Sequence, residues 1–233
     1  MLKYNGKNLE DFNIKIGHEL EITSPEVDME FYEIKGLDGD VAISNDRLKG
    51  FERSFPFVMK SANVEEDFGE LVSFLRTNIG WHDLTFGSSE YTYKAMAVEQ
   101  MALNRVVKRF GRGVLTFRMK PVKYVTSSLS KLPLGANINN PTTRSSKPQL
   151  IIEGSGNITI TIGKSKLTLK NVGKGVIIDS SRQTITNLSG TQAQFDKMTS
   201  YPFPEIEPGN NTVTKTGTIT SIQIVPRWEV VAT

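Results

Sequence analysis

The sequence predicts a mainly β chain with one principal helix, and three observations carry that expectation. The first is the run Phe51-Glu52-Arg53-Ser54-Phe55-Pro56-Phe57-Val58-Met59, whose odd positions are mostly apolar. Alternation with period two is the pattern of a half-buried strand. The second is one helical stripe, Val64, Phe68, Leu71, Val72 and Leu75, within Val64 to Thr77. Asn63 stands at its N-cap, Glu65, Glu66 and Asp67 load the first turn with negative charge, and Gly80 ends it. The third is the C-terminal half, where short β-branched runs are separated by glycine turns at near-regular spacing. A helix of roughly 20 Å, laid by its stripe on long strands, is a seed for an α+β or mostly-β domain.

The other elements follow from the same two periods and from turn chemistry. Tyr4-Asn5-Gly6-Lys7-Asn8 contains Asn-Gly, a strong hairpin dipeptide. Phe12, Ile14 and Ile16 alternate, as do Leu20 and Ile22. Val27-Asp28-Met29-Glu30-Phe31-Tyr32 is apolar at its odd positions, and its even face carries Glu26, Asp28 and Glu30. Gly36-Leu37-Asp38-Gly39-Asp40 reads as a loop tip between strands. After the helix come an extended run from Trp81 to Phe86, a turn at Gly87-Ser88-Ser89, and a second run from Tyr91 to Glu99. Gly111-Arg112-Gly113 leads into a strand with Leu115, Phe117 and Met119 on one face, which Pro121 ends or places at an edge.

From about Val125 to Lys147 the composition shifts to Ser, Thr, Pro, Asn and Gly. This is the expected boundary between a domain of residues 1–128 and a domain of residues 129–233, and it is either a linker or an arm packed on something. Beyond it, turns at Gly154-Ser155-Gly156, Gly163-Lys164-Ser165 and Gly173-Lys174-Gly175 separate short strands, the pattern of a two-sheet sandwich. In the last run Ile222, Ile224, Trp228 and Val230 share one face while Ile219 has the opposite parity, so a bulge is expected near Thr220 or Ser221.

Composition narrows the function classes. The absence of cysteine excludes a disulfide framework, a thiolate metal site and a cysteine nucleophile. No apolar run approaches membrane-spanning length, and the first residues lack the apolar block of a signal peptide, so cytoplasmic synthesis and no membrane partner are expected. The net charge of +3 is unevenly spread: residues 1–52 hold 12 acids against 6 bases, whereas residues 129–233 hold 11 bases against 6 acids. Neither part is basic enough for a nucleic-acid binder, but segments of opposite sign suit self-association.

Reactive constellations are missing too. His18 and His82 are the only histidines, far apart in sequence, with nothing in their spacing to suggest a metal site. Gly-x-Ser-x-Gly is absent, and Gly154-Ser155-Gly156 and Gly111-Arg112-Gly113 are too short for a phosphate-cradling loop. Asp38 and Asp40 lack the closing glutamate of a calcium loop. Asp28, Glu30 and Glu33 read as a solvated face rather than a glycosidase pair. No catalytic, metal or cofactor residues are therefore assigned. The alternative function class is carbohydrate binding by the second domain, for which Tyr201 and Phe203, in the loop Tyr201-Pro202-Phe203-Pro204, are the surface candidates.

Several stretches together resemble the distal tail proteins (Dit) of long-tailed phages that infect Gram-positive bacteria. They are Tyr4 to Phe12, the helix from Val64 to Thr77 leading to Leu84-Thr85-Phe86 and Tyr91 to Ala95, Leu115 to Pro121, Pro208 to Val213, and Ile222 to Trp228. The resemblance implies an N-terminal belt domain with one helix and a C-terminal galectin-like β-sandwich. It also implies a homo-hexameric ring in the virion, at the tail tip. That ring joins the tail tube protein to the tail-associated lysin or tail fibre and to receptor-binding proteins, and DNA passes through it unread. A channel wall for DNA should not be basic, because each lysine–phosphate contact would retard passage. The acidic face of Glu26, Asp28 and Glu30 is thus expected either to line or approach the channel or simply to face solvent.

Overall fold

A computed structural model describes residues 1–17, 21–77 and 79–233; His18 and Leu20, named above, lie outside them. The chain divides into two compact units, Met1–Lys123 with Val231–Thr233, and Tyr124–Val230. It is mainly β with one α-helix among the described residues.

The first unit contains β1 (Leu2–Tyr4), β2 (Lys7–Asn8), β3 (Ile14–Ile16), β4 (Val27–Glu33), β5 (Asp40–Leu48) and β6 (Phe51–Lys60). Helix α1 (Val64–Thr77) follows, then β7 (His82–Phe86), β8 (Tyr91–Met96), β9 (Ala102–Val107) and β10 (Phe110–Val125). The main sheet runs β2-β1-β7-β8-β10-β6-β3, with β9 also paired to β10. Its organising strand behaves as its alternation predicts. Arg53, Phe55, Phe57 and Met59 are buried, while Glu52, Ser54, Pro56, Val58 and Lys60 face water. Register carries this across the ladder, because Phe55 lies opposite Leu115 and Phe57 opposite Gly113. The helix closes the core with Val64, Leu71 and Leu75, as its stripe requires, and Phe68 and Phe74 pack at the margin. At its start the Asn63 side-chain amide donates to the Glu66 carboxylate at 3.3 Å.

Two sequence expectations change here. The strand reaching Pro121 continues to Val125, because the Pro121 carbonyl, which a proline retains, accepts from Ala232 N–H at 2.9 Å. The 111–113 segment lies inside β10, where glycine is required by close approach: a Cβ on Gly113 would meet the Phe57 ring at 2.5 Å and the Ala102 carbonyl at 2.6 Å. Residues 231–233 also belong to this unit. The Arg53 guanidinium, buried and stacked 5.0 Å from the Phe86 ring, donates to the Thr233 carbonyl at 3.2 Å. Tyr93 Oη donates to the same oxygen at 2.9 Å, and Lys123 Nζ to Thr233 Oγ1 at 2.8 Å.

The second unit is built from β11 (Leu132–Pro133), β12 (Asn137–Asn140), β13 (Gln149–Ile162), β14 (Ser165–Val172), β15 (Gly175–Asp179), β16 (Thr184–Thr186) and β17 (Gly209–Val225). Its sheet runs β11-β17-β13-β15-β16, with β12 on β17 and β14 on β13. Gly154-Ser155-Gly156 is not a turn between short strands but a bulged bend inside β13. The first half of β13 pairs with β15 and the second with β14, while β17 accompanies both. Leu150 and Ile152 from one half and Ile158, Ile160 and Ile162 from the other enter a single core, so the sheet folds over on itself. Thr220 is skipped in the register, which joins Glu153 to Ser221 and Gly154 to Ile219, and the bulge lets both Ile219 and Ile222 reach that core. The polar stretch after Val125 packs as an arm. Leu134 is buried, and the buried Asn140 amide donates to the carbonyls of Arg144 (2.8 Å) and Ile206 (3.1 Å).

A buried ion pair braces this unit. Arg227, at φ 56°, donates through Nη1 and Nη2 to the two carboxylate oxygens of Asp179 at 2.7 and 2.8 Å. Burial raises the Asp179 pKa, but the Arg227 hydrogen bonds and charge outweigh it and hold the carboxyl below its ordinary value.

Two outcomes follow. Gly113→Ala lowers stability by about 1–3 kcal/mol, read as a shift of the urea midpoint of the first unit's transition. Arg227→Ala removes the bidentate partner of a buried carboxylate and costs roughly 3 kcal/mol. Because the folded pKa of Asp179 is depressed, the pair's contribution is full above the unfolded value of about 3.9 and is lost as pH falls through the folded value. Acid titration of wild type against Arg227→Ala, followed by circular dichroism, checks that sign.

Candidate functional site

The candidate site grows out of β4 and β5, which pair only with each other among the described residues. Between them, Gly36 (φ 89°) and Gly39 (φ 83°) supply the left-handed backbone that turns the chain at the expected loop tip. The register sets Met29 opposite Ser44, Glu30 opposite Ile43, Phe31 opposite Ala42, Tyr32 opposite Val41 and Glu33 opposite Asp40. Directly opposed residues share a face. One face therefore presents Met29, Phe31 and Ala42, with Glu33 and Asp40 toward the tip, and the other presents Glu30, Tyr32, Val41 and Ile43.

The apolar side chains of β4 do not enter a core. Val27 is 52 % exposed and Phe31 65 %, while Ile34, Leu37 and Ile43 are also in water. The buried member is Asp28, which Arg47 engages through Nε and Lys49 approaches at 3.7 Å. The Arg47 hydrogen bond, aided by the charges of Arg47 and Lys49, lowers the Asp28 pKa against the opposing effect of burial. Glu26 and Glu30 are exposed, and Tyr32 Oη donates to the Glu30 carboxylate. The expected acidic face thus divides between two exposed carboxylates and one that is ion-paired. The sequence missed the exposed apolar set because period-two alternation marks two different faces without saying which is covered.

The two residues proposed for glycan contact separate in the same way. Tyr201 is 83 % exposed, whereas Phe203 packs against the second core. A cleft of about 550 Å³, lined by Asn171, Lys174, Asn187, Leu188 and Gln194 among others, opens elsewhere on this unit. His82 begins β7 with its ring edge-on to Tyr4 at 5.5 Å, and His18 lies outside the described residues. Among the described residues no group of three or more His, Asp or Glu side chains is placed to hold a metal ion.

No protein-family model matches the chain, and neither does any curated protein. Solved structures do match. The SPP1 Dit protein (gp 19.1), described as a paradigm of the hub adsorption apparatus in phages infecting Gram-positive bacteria, superposes with a TM-score of 0.69 at 15 % identity, covering 96 % of this chain and 97 % of that one. The phage P2 baseplate in its activated conformation matches with a TM-score of 0.51 in both its calcium and strontium forms, at 12 % and 10 % identity, covering 94 % of this chain and 91 % of those. Along nearly its whole length, then, this chain has the Dit-like fold of phage tail hub and baseplate proteins.

Proposed function

We propose that the chain is a structural subunit of a phage tail tip. Copies close into a hexameric ring that joins the tail tube to a tail-associated lysin or fibre and to receptor-binding proteins, and that lets DNA through. The observation that carries this reading is the β4–β5 hairpin, which among the described residues is paired with no other strand yet exposes Phe31, Ile34, Leu37 and Ile43. A lone two-stranded hairpin is marginal in water, and clustered exposed apolar residues mark interaction surfaces. Docked on a neighbouring copy, the hairpin gains both partners and a core. A repeated head-to-tail contact of this kind closes a ring when its rotation permits.

In such a ring the even face of β4 lines or approaches the channel. Glu26 and Glu30 carry its exposed charge, and Asp28 is neutralised by Arg47 and Lys49. Exposed carboxylates repel the DNA backbone and so favour its passage. The chain works by adhesion of surfaces, in the virion, after synthesis in the host cytoplasm. A second reading, glycan binding by Tyr201 on the second unit, is favoured by the 83 % exposure of that residue.

Native mass spectrometry of the purified chain at high concentration is expected to show a six-chain species. Replacing Val27–Leu48 by a short Gly-Ser turn should leave a folded monomer, and a strictly monomeric wild type would overturn the hub reading. An electron-microscopy map of the ring with Glu26 and Glu30 on its outer rim would remove the channel assignment. For the second reading, Tyr201→Ala should abolish retention on host cell-wall polysaccharide; retention unchanged by the substitution counts against it.

A further inference from the structure

The hairpin needs a receiving surface, and the first unit carries one whose side chains are exposed among the described residues. On the side of the main sheet opposite the core, Lys15 of β3, Val58 of β6 and Arg112 of β10 lie in one cross-strand row. Pro56 and Val114 form the next row, and Lys60 lies beyond Val58 on β6. All six side chains are exposed, Val58 by 37 % and Val114 by 44 %. Three cations therefore surround an apolar strip. An open groove of about 430 Å³ runs along it, lined by Lys15, Pro56, Val58 and Arg112 among others.

The hairpin is this surface's complement in both properties. Its Met29–Phe31–Ala42 face is apolar, and the same face ends in Glu33 opposite Asp40. Residues 26–48 contain seven acids against two bases, Lys35 and Arg47. Within one copy the two surfaces are not joined, since the apolar residues of both remain in water. We infer that the odd face of β4–β5 docks on the outer face of β3, β6 and β10 of a second copy of this chain, setting Phe31 against the Val58–Val114 strip and Glu33 and Asp40 against Lys15, Lys60 and Arg112. The strand β4, about 23 Å long at ~3.3 Å per residue, is long enough to span three strands ~4.8 Å apart. This inference rests on the ring-subunit reading and names the surface that the reading leaves unassigned. It also leaves the opposite hairpin face, with Glu30, free for the channel.

The chain has no cysteine, so engineered thiols report the contact cleanly. Phe31→Cys and Val114→Cys are made as separate proteins, mixed at high concentration and oxidised. A disulfide-linked heterodimer is expected from the mixture, with neither variant alone forming more than a trace. In parallel, Glu33→Lys with Asp40→Lys should weaken self-association roughly tenfold or more, and Lys15→Glu with Arg112→Glu in the mixing partner should restore it. Assembly by native mass spectrometry without the Phe31–Val114 link, and without charge-swap rescue, overturns this docking surface while the ring reading stands. A wild type that never assembles overturns both. All six positions are exposed, and unchanged circular dichroism of each variant confirms that folding is intact.

Discussion

A sheet has two faces, and water must be kept from the apolar one. In the first unit β6 and β10 meet that requirement on one side only: Phe55, Phe57, Met59, Leu115, Phe117 and Met119 are sealed beneath α1 and the first strands. Each buried side chain of this size contributes on the order of 1.5–3 kcal/mol by leaving water. Among the described residues, the other side of the same strands and both sides of β4–β5 have no such cover. Eight large apolar residues of the hairpin stay exposed, from Val27 to Ile43. The same driving force that folds the unit is therefore left unspent on its surface, available to association.

The second unit satisfies its needs internally. Its core is a dense set of Ile, Leu and Val from both halves of the bent β13–β17 ladder. Glycine makes the bend feasible, because a Cβ on Gly154 would strike the Thr218 carbonyl at 2.4 Å and one on Gly217 the Asn157 carbonyl at 2.3 Å. The buried Asp179 carboxylate is answered: it holds Arg227 by two hydrogen bonds and also accepts the Arg182 N–H at 3.1 Å. Large exposed apolar residues are few here, Leu132, Leu188, Phe195 and Tyr201. The two units thus divide the work, with unspent apolar surface concentrated in the first.

Much of this architecture was legible from residues alone. The alternation from Arg53 to Met59 corresponds to burial, as do Val64, Leu71 and Leu75 of the α1 stripe, and the parity break at Ile219 located a bulge at Thr220. Other features were misread for identifiable reasons. Gly154-Ser155-Gly156 carries the composition of a turn, but only the opposing strand β17 shows that the glycines serve close approach. For the Ser-, Thr- and Asn-rich stretch after Val125 composition fitted both a linker and a packed arm, and distant partners such as Ile206 and Trp228 decide for the arm.

The candidate site marks the division most sharply. Sequence by itself determined that β4 has one acidic and one apolar set of residues, since side chains alternate along any strand. It equally determined the helix, the mainly β character and the absence of thiol chemistry, all of which are local or compositional. That both sets meet water was decided only by tertiary structure, which holds Asp28 beside Arg47 and leaves Glu30 and Phe31 outside. Periodicity records that two faces differ, whereas burial depends on what the rest of the chain brings to each of them.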